Sequence, residues 1–196
     1  VSFDHSGEEI DPSIENSEVY LRFSTMASGF DYELVGGYFW YDDPAMHITR
    51  HIDPQTQQLA SLTLMPEFHR VSMAGGSISK PIGPFLLRAE GAYYSGRYFQ
   101  TTNPMVQGGK LKKDNLHYMA GVDFNLWGIT LSAQFIQEYI LDYEDSIQND
   151  EFDNTMTFLA KKDFFREKLW IELFSYIGIN NEDALIRPKV TYNFAD

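Results

Sequence analysis

Residues 116–141 read LHYMAGVDFNLWGITLSAQFIQEYIL, and they contain two alternating runs joined by a short link. In the first run, Leu116 and Tyr118 alternate with His117, and the second run, 129–141, repeats the pattern. Successive side chains of a β-strand point to opposite faces, so an alternation with period two predicts a strand that has one apolar and one polar face. The short link between the runs predicts an antiparallel hairpin.

The same alternation recurs along most of the chain and predicts about nine strands. These are Val19–Met26, Phe30–Tyr41, Leu59–Ile78, Phe85–Tyr94, Leu116–Phe124, Ile129–Leu141, Thr155–Lys161, Lys168–Gly178 and Leu185–Phe194. Short links follow the first, third, fifth and seventh strands, and long polar links occupy 42–58, 95–114 and 142–153. Within the third run, Pro66 removes a ladder donor and the alternation slips near 67–70. This slip predicts a bulge there, or a strand that begins only after Pro66.

Short and long links that alternate are typical of an antiparallel up-and-down transmembrane β-barrel, with short turns at one membrane surface and long loops at the other. We therefore expect an all-β fold in which 17–196 form barrel wall and 1–16 form an acidic external loop or extension. Bacterial barrels usually have an even number of strands, so nine strands predict part of a larger barrel. The alternative is that 1–16 are a true N-terminal extension and that one strand is miscounted.

Composition narrows the function classes. The formal net charge is -13 and the pI is about 4.7, so no basic surface is expected for nucleic acid. The chain has no cysteine, which excludes disulfides and thiolate metal sites. No apolar run approaches the roughly 20 residues of a membrane-spanning helix. The polar, acidic start lacks the pattern of a signal peptide, so we expect a mature or truncated product.

Four stretches carry a family resemblance: LRAEGAY at 87–93, YMAGVD at 118–123, LSAQFIQ at 131–137 and LIRPKVTY at 185–192. They resemble an uncharacterised family of Gram-negative outer-membrane barrels that is porin-like and alginate-export-like. The resemblance implies an outer-membrane location and the C-terminal part of a longer barrel, in contact with outer-membrane lipid and lipopolysaccharide. It transfers no catalytic residue.

The predicted inward face supplies candidate pore-lining residues. They are polar or charged: Arg22, Asp31, Glu33, Arg88, Glu90, Asp123, Gln134, Glu138, Arg187 and Lys189. Charges in a wide pore set ion selectivity, so we expect a channel for small polar or anionic solutes whose selectivity changes when Arg88 is reversed to Glu. In a narrow barrel, the same charges would instead pair across strands and hold the wall together.

Two other functions remain open. A structural barrel could present its loops to an envelope or extracellular protein partner. A soluble all-β domain could bind a ligand, carbohydrate for example, with Trp40, Trp127 and Trp170 as stacking candidates.

The remaining motifs are weaker. His47 and His51 have a helical spacing for a metal, but Pro44 and Pro54 bracket them, so we expect no metal site. The acidic segment 142–153 lacks the glycine of a calcium loop, although weak bridging of divalent cations to lipopolysaccharide is a secondary role. The cluster 110–113, KLKK, is expected to be solvated or to contact anionic head groups. Ser132 and His117 face inward without a third partner, so we expect neither an enzyme nor a cofactor.

Overall fold

The computed structural model describes residues 1–4, 6–7 and 10–194, so His5, Glu8, Glu9, Ala195 and Asp196 lie outside the described residues. The described residues form twelve strands: β1 (Ser2–Phe3), β2 (Val19–Ala27), β3 (Phe30–Trp40), β4 (Ala45–Ile52), β5 (Leu59–Glu67), β6 (Arg70–Ile82), β7 (Phe85–Gln100), β8 (Lys110–Leu126), β9 (Ile129–Ile140), β10 (Phe152–Phe164), β11 (Leu169–Gly178) and β12 (Asp183–Tyr192).

Nine of these strands form one antiparallel sheet in the order β12-β11-β10-β9-β8-β7-β6-β3-β2. A second sheet has the order β1-β5-β4, in which β1 runs parallel to β5. The predicted all-β fold is therefore confirmed, together with the antiparallel order of the nine predicted strands. Among the described residues, no helix is long and apolar enough to cross a membrane.

The four-residue link 179–182, between β11 and β12, lies at one end of the nine-stranded sheet among the longer connections. Four tight links lie at the opposite end, and they join β2 to β3, β6 to β7, β8 to β9 and β10 to β11. Two of them are two-residue turns with positive φ at both positions, Ser28–Gly29 and Trp127–Gly128. Such turns match the right-handed twist of a hairpin, which is why glycine stands second in each.

The two faces of this sheet differ sharply in chemistry. Strand register places partner residues on the same face, and Phe85, Phe124 and Leu131 form one such row. Arg88, Gly121 and Gln134 form a row on the opposite face. We call the first the apolar face and the second the polar face, and the alternation read from the sequence assigns the same residues to each.

Between the tight turns and the row of Tyr93 and Leu116, no other described part of the chain covers the apolar face. Beyond that row, Lys110, which register assigns to the same face, packs against Glu67 and His69. The side chains of the apolar face are exposed across the sheet, from Leu21 on β2 (74 % exposed) to Leu87 on β7 (43 %). The three-stranded sheet contacts only β7 and β8 among the described strands of the large sheet. Both edge strands, β2 and β12, are exposed along their whole length, so the sheet is open at both sides.

The three-stranded sheet is attached where β7 ends and β8 begins, at the end of the large sheet opposite the tight turns. The backbone N–H of Ile48 donates to the Gly108 carbonyl at 2.9 Å, and the Gln100 side-chain amide donates to the Met46 carbonyl at 2.9 Å. Lys110 Nζ lies 2.5 Å from Glu67 Oε2 and 2.9 Å from His69 Nε2. The Lys110 side chain is nearly buried, so this ion pair holds β5 against β8.

Acidification is expected to loosen this attachment. The hydrogen bond from Lys110 holds the pKa of the Glu67 carboxyl below its ordinary 4.5, and burial, reinforced by the Lys110 charge, lowers the pKa of His69 below 6.5. Both groups therefore bind protons less readily when the sheet is attached. The contribution of these two groups to the stability of the attachment is complete above the ordinary pKa of His69. It is lost as the pH falls through the lowered pKa of His69 and then through the lowered pKa of Glu67.

Hydrogen exchange tests this expectation. Protection of the β4 amides, corrected for the intrinsic pH dependence of exchange, should fall between about pH 7 and about pH 4. Amides of β9 and β10 in the same sample serve as the control. Protection of β4 that stays constant or rises over this range would contradict the assignment.

Several predicted boundaries are wrong. The stretch 42–58 contains β4 rather than loop alone, and β1 places part of the 1–16 segment in a sheet. The stretch 95–114 is largely strand, because β7 continues to Gln100 and β8 starts at Lys110. The third predicted strand, Leu59–Ile78, is two strands: Pro66 lies inside β5, and β6 of the large sheet begins only after Pro66, at Arg70, as one of the two alternatives predicted.

The acidic segment after β9 is a loop as predicted, but it is not simply solvated. Ile147 is 5 % exposed and packs with Phe99 and Ile140 in a small apolar cluster. Because Ile140 pairs with Asn115 on the polar face, the segment 141–151 folds onto that face. The Thr101 hydroxyl donates to the Ser146 carbonyl at 3.0 Å and fixes this fold.

Candidate functional site

The ten candidate pore-lining residues share the polar face. Register rows show it: Asp31 pairs with Ser79, which pairs with Arg88, and Glu33 pairs with Ser77, which pairs with Glu90. The same test assigns the others to this face: Arg22, Asp123, Gln134, Glu138, Arg187 and Lys189. The structure therefore brings to one surface residues that are spread over six strands.

A shallow trough of about 670 Å³ lies on this face, across β3 and β6 to β9. Its polar lining includes Glu33, Arg88, Glu90, His117 and Gln134. Its floor is apolar and consists of Val35, Met73, Ala92, Met119 and Ile136, among others. A surface with an apolar floor and a few separated charges can take up a small polar solute.

Both cations near the trough are paired. Arg88 Nη2 lies 2.9 Å from Asp123 Oδ1, and Arg22 Nη2 lies 2.5 Å from Glu33 Oε2. The predicted alternative of cross-strand ion pairing therefore holds for these two arginines. Glu90 differs: within the described part of the chain it forms neither a hydrogen bond nor an ion pair, and it is exposed.

Another cation on this face, Arg97, was missed by the sequence analysis. Regular alternation from Tyr94 would place it on the apolar face, but the register of β7 shifts between Tyr94 and Arg97. Gly96 has a φ of 93° there, and the Asp114 carboxylate accepts hydrogen bonds from the Ser95 hydroxyl and the Gly96 N–H. This bulge turns Arg97 to the polar face.

Arg97 is the centre of the best-connected cluster on the polar face. Its Nη1 lies 2.5 Å from Glu138 Oε1 and 3.1 Å from His117 Nε2. Its guanidinium also lies over the ring of Tyr41, 4.4 Å from the centroid. The buried Asn115 amide donates to Glu138 at 3.1 Å. We call Arg97, Asn115, His117 and Glu138 the Arg97 cluster; it lies between the trough and the 141–151 segment.

The weaker motifs do not assemble into sites. His47 and His51 lie on a strand, about 13 Å apart, and contact Glu67 and Thr63 respectively. Ser132 pairs with Asp123 rather than with His117, which is about 20 Å away along β8. Among the described residues, no group of three or more His, Cys, Asp or Glu could hold a metal ion.

The lysine cluster and the tryptophans are also dispersed. Lys110 is paired with Glu67, and Lys113 with Glu144 at 2.7 Å, so these two are not free for head groups. Trp40 donates to the Asn16 carbonyl, Trp170 lies under Lys161, and Trp127 is exposed in the β8–β9 turn. Three tryptophans on separate strand ends do not make a common stacking platform.

Comparisons with known proteins add no assignment: no protein-family model, no curated protein and no solved structure matches this chain. The functional reading therefore depends on the two faces of the sheet and on the trough.

Proposed function

We propose that this chain forms part of the wall of an outer-membrane β-barrel in a Gram-negative bacterium, with the trough lining a channel for small polar solutes. The observation that carries the proposal is the uncovered apolar face of the nine-stranded sheet. Soluble monomers rarely expose a contiguous apolar patch larger than a few hundred Å². A wall with lipid on one face and water on the other needs this distribution of side chains.

The distribution of aromatic residues on the apolar face supports the proposal. Tyr93, Tyr139 and Phe152 lie in one row near the long-loop end, and Phe85 and Phe124 lie in a row near the tight turns. The distance along β7 from Phe85 in one row to Tyr93 in the other is about 27 Å. Barrel strands carry an apolar band roughly 25 Å tall, flanked by aromatic girdles.

The direction of the edge strands defines what the barrel needs for closure. Direction alternates across an antiparallel sheet, so β2 and β12, the first and ninth strands, run the same way. They could pair with each other only in parallel, unlike every other pair in this sheet. A second copy inserted in the same orientation would meet the same obstacle. Antiparallel closure therefore requires an odd number of further strands.

A structural or docking barrel is the second candidate, and one observation favours it. The 141–151 segment folds onto the polar face through Ile147, which narrows the space above the Arg97 cluster. A lumen occluded by this segment would conduct no ions, and its long loops would be free to bind an envelope protein.

Extraction and conductance test these proposals in sequence. Because lipid is expected to cover the apolar face, the protein should stay in the membrane fraction after carbonate treatment and should need detergent for release. Release by carbonate or salt alone would reject the barrel. In a planar bilayer the channel is expected to give discrete conductance steps, whereas complete silence of correctly inserted protein would favour the docking barrel.

A further inference from the structure

The sign of the net charge at the trough follows from which charges are already paired. Arg88 is bound to Asp123, and its Nη2 also lies 3.5 Å from the Ser132 hydroxyl. Arg22 is bound to Glu33. An ion pair has little net field at the distance of a passing solute. The arginines therefore contribute little positive potential to the trough.

The carboxylate of Glu90 is left without a partner, and a second acid reinforces it. Glu90 lines the trough and forms no ion pair among the described residues. Asp31, in the adjacent polar-face row, accepts one hydrogen bond within the described ranges, from Ser79 at 3.4 Å. Ser77 lies directly between Glu33 and Glu90 in their register row. The open part of the trough is therefore negative.

We propose that the trough takes up cationic small polar solutes in preference to anions, and that Glu90 determines this specificity. The inference rests on the proposed function in that it assumes an aqueous trough. It replaces the sequence-based expectation of anion selectivity set by Arg88, because the Arg88 charge is neutralised by Asp123. A solute amine would meet Glu90 on one side and the apolar floor of Met119 and Ile136 beneath.

Thiol modification measures this potential without requiring conduction. The chain has no native cysteine, so Ser77→Cys introduces a single thiol beside Glu90. Its rate of reaction is measured in the full chain in detergent with a cationic trimethylammonium-ethyl and an anionic sulfonato-ethyl methanethiosulfonate. The ratio of the two rates is divided by the same ratio for 2-mercaptoethanol.

We expect the corrected ratio, cationic over anionic reagent, to exceed one in Ser77→Cys. Adding Glu90→Gln should lower it about fourfold, because this removes a unit charge about 5 Å from the thiol in salt water. Glu172→Gln is the matched control, because Glu172 lies on the same face, on β11, two strands beyond β9 at the border of the trough, and it should leave the ratio unchanged. A ratio of one or less, or one that Glu90→Gln does not move, overturns the proposal.

The outcomes separate this inference from the proposed function. A thiol that reacts with neither reagent would mean that the trough is closed to solutes, which overturns the inference. A high ratio that depends on Glu90, found in a protein that is silent in bilayers, would keep the cationic site and reject the channel. In a conducting protein, the reversal potential in a KCl gradient should show cation preference and move toward anions with Glu90→Gln.

Discussion

Placing an arginine at Ala120 is expected to destabilise the protein in a lipid bilayer by about 2–4 kcal/mol. Ala120 lies on β8 in the apolar-face row that contains Ala89 and Phe135. This row is about midway between the two aromatic rows, so an arginine there would lie near the centre of the bilayer. A charged side chain at that depth must lose its hydration or distort the lipid around it.

The same substitution has the opposite expectation in a soluble protein. Ala120 is exposed in the structure, and exposed substitutions in water usually change stability by no more than about 0.5 kcal/mol. An arginine on an uncovered apolar sheet would also improve solubility. The free energy of unfolding from lipid vesicles, followed by the fluorescence of Trp127 and Trp170, therefore distinguishes a membrane wall from a soluble sheet.

Met119→Arg is the matched control, since Met119 is the adjacent residue on β8 and lies on the polar face at the trough. An arginine there meets water and Glu90, so its effect should stay well below that of Ala120→Arg. Equal effects of the two substitutions, or a neutral Ala120→Arg, would be incompatible with lipid on the apolar face.

The sequence predicted strands correctly where the contrast between an apolar and a polar face alone controls the order of residues. Along 116–141, one face is apolar and the other is polar, so the period of two is visible in the residues themselves. The pairing of β2 with β3 and of β8 with β9 followed from the tight links, because a two-residue turn forces the two strands it joins to pair. The same alternation assigned Arg88 and Glu90 to the polar face, but it could not say which of them is neutralised. That depends on Asp123, which register places diagonally from Arg88 on the adjacent strand.

The features that were missed depend on contacts distant in sequence. The bulge at Ser95 and Gly96 restarts the alternation out of phase, so the rest of β7 looked like loop and Arg97 was passed over. A Ser-Gly pair at the end of a clean alternation is a signal for such a bulge. Strand β4 alternates weakly and is bracketed by prolines, and its pairing is specified by β5 and the 101–109 loop.

Ile147 is the other signal that was available. It is an isolated apolar residue in an otherwise acidic segment, and such a residue has a reason to be buried. Net charge alone favoured a solvated loop for 142–153. Burial of one isoleucine against Phe99 and Ile140 outweighs this, because the acidic side chains around it can still reach water or a partner such as Lys113.

Removing the Arg97 guanidinium is expected to cost about 3 kcal/mol of folding stability, the lower end of the range for breaking a buried ion pair. The Arg97 side chain is only 13 % exposed, and Arg97→Met keeps most of its volume. The variant leaves the Glu138 carboxylate partly buried, with the amide of Asn115 and the ring of His117 as its remaining partners. The loss should appear as a lower midpoint of denaturant unfolding.

Arg22→Met is the control that separates the effect of burying an ion pair from the effect of its short distance. Arg22 also lies 2.5 Å from a carboxylate, that of Glu33, but its side chain is 69 % exposed on the edge strand. Exposed pairs contribute about 0–1 kcal/mol, so this variant should be nearly neutral. If the two variants cost the same, burial of the Arg97–Glu138 pair would add nothing to its contribution to stability.

A double-mutant cycle then measures the pair itself. Glu138→Gln in the Arg97→Met background should recover part of the loss, because a neutral amide is less costly to leave buried than an unpaired carboxylate. Recovery together with renewed protection of the 141–151 amides would tie the folding of that segment to the Arg97 cluster beneath it. Additive losses would instead mean that Arg97 stabilises the polar face through Tyr41 and Phe99, the two rings it covers, and not through Glu138.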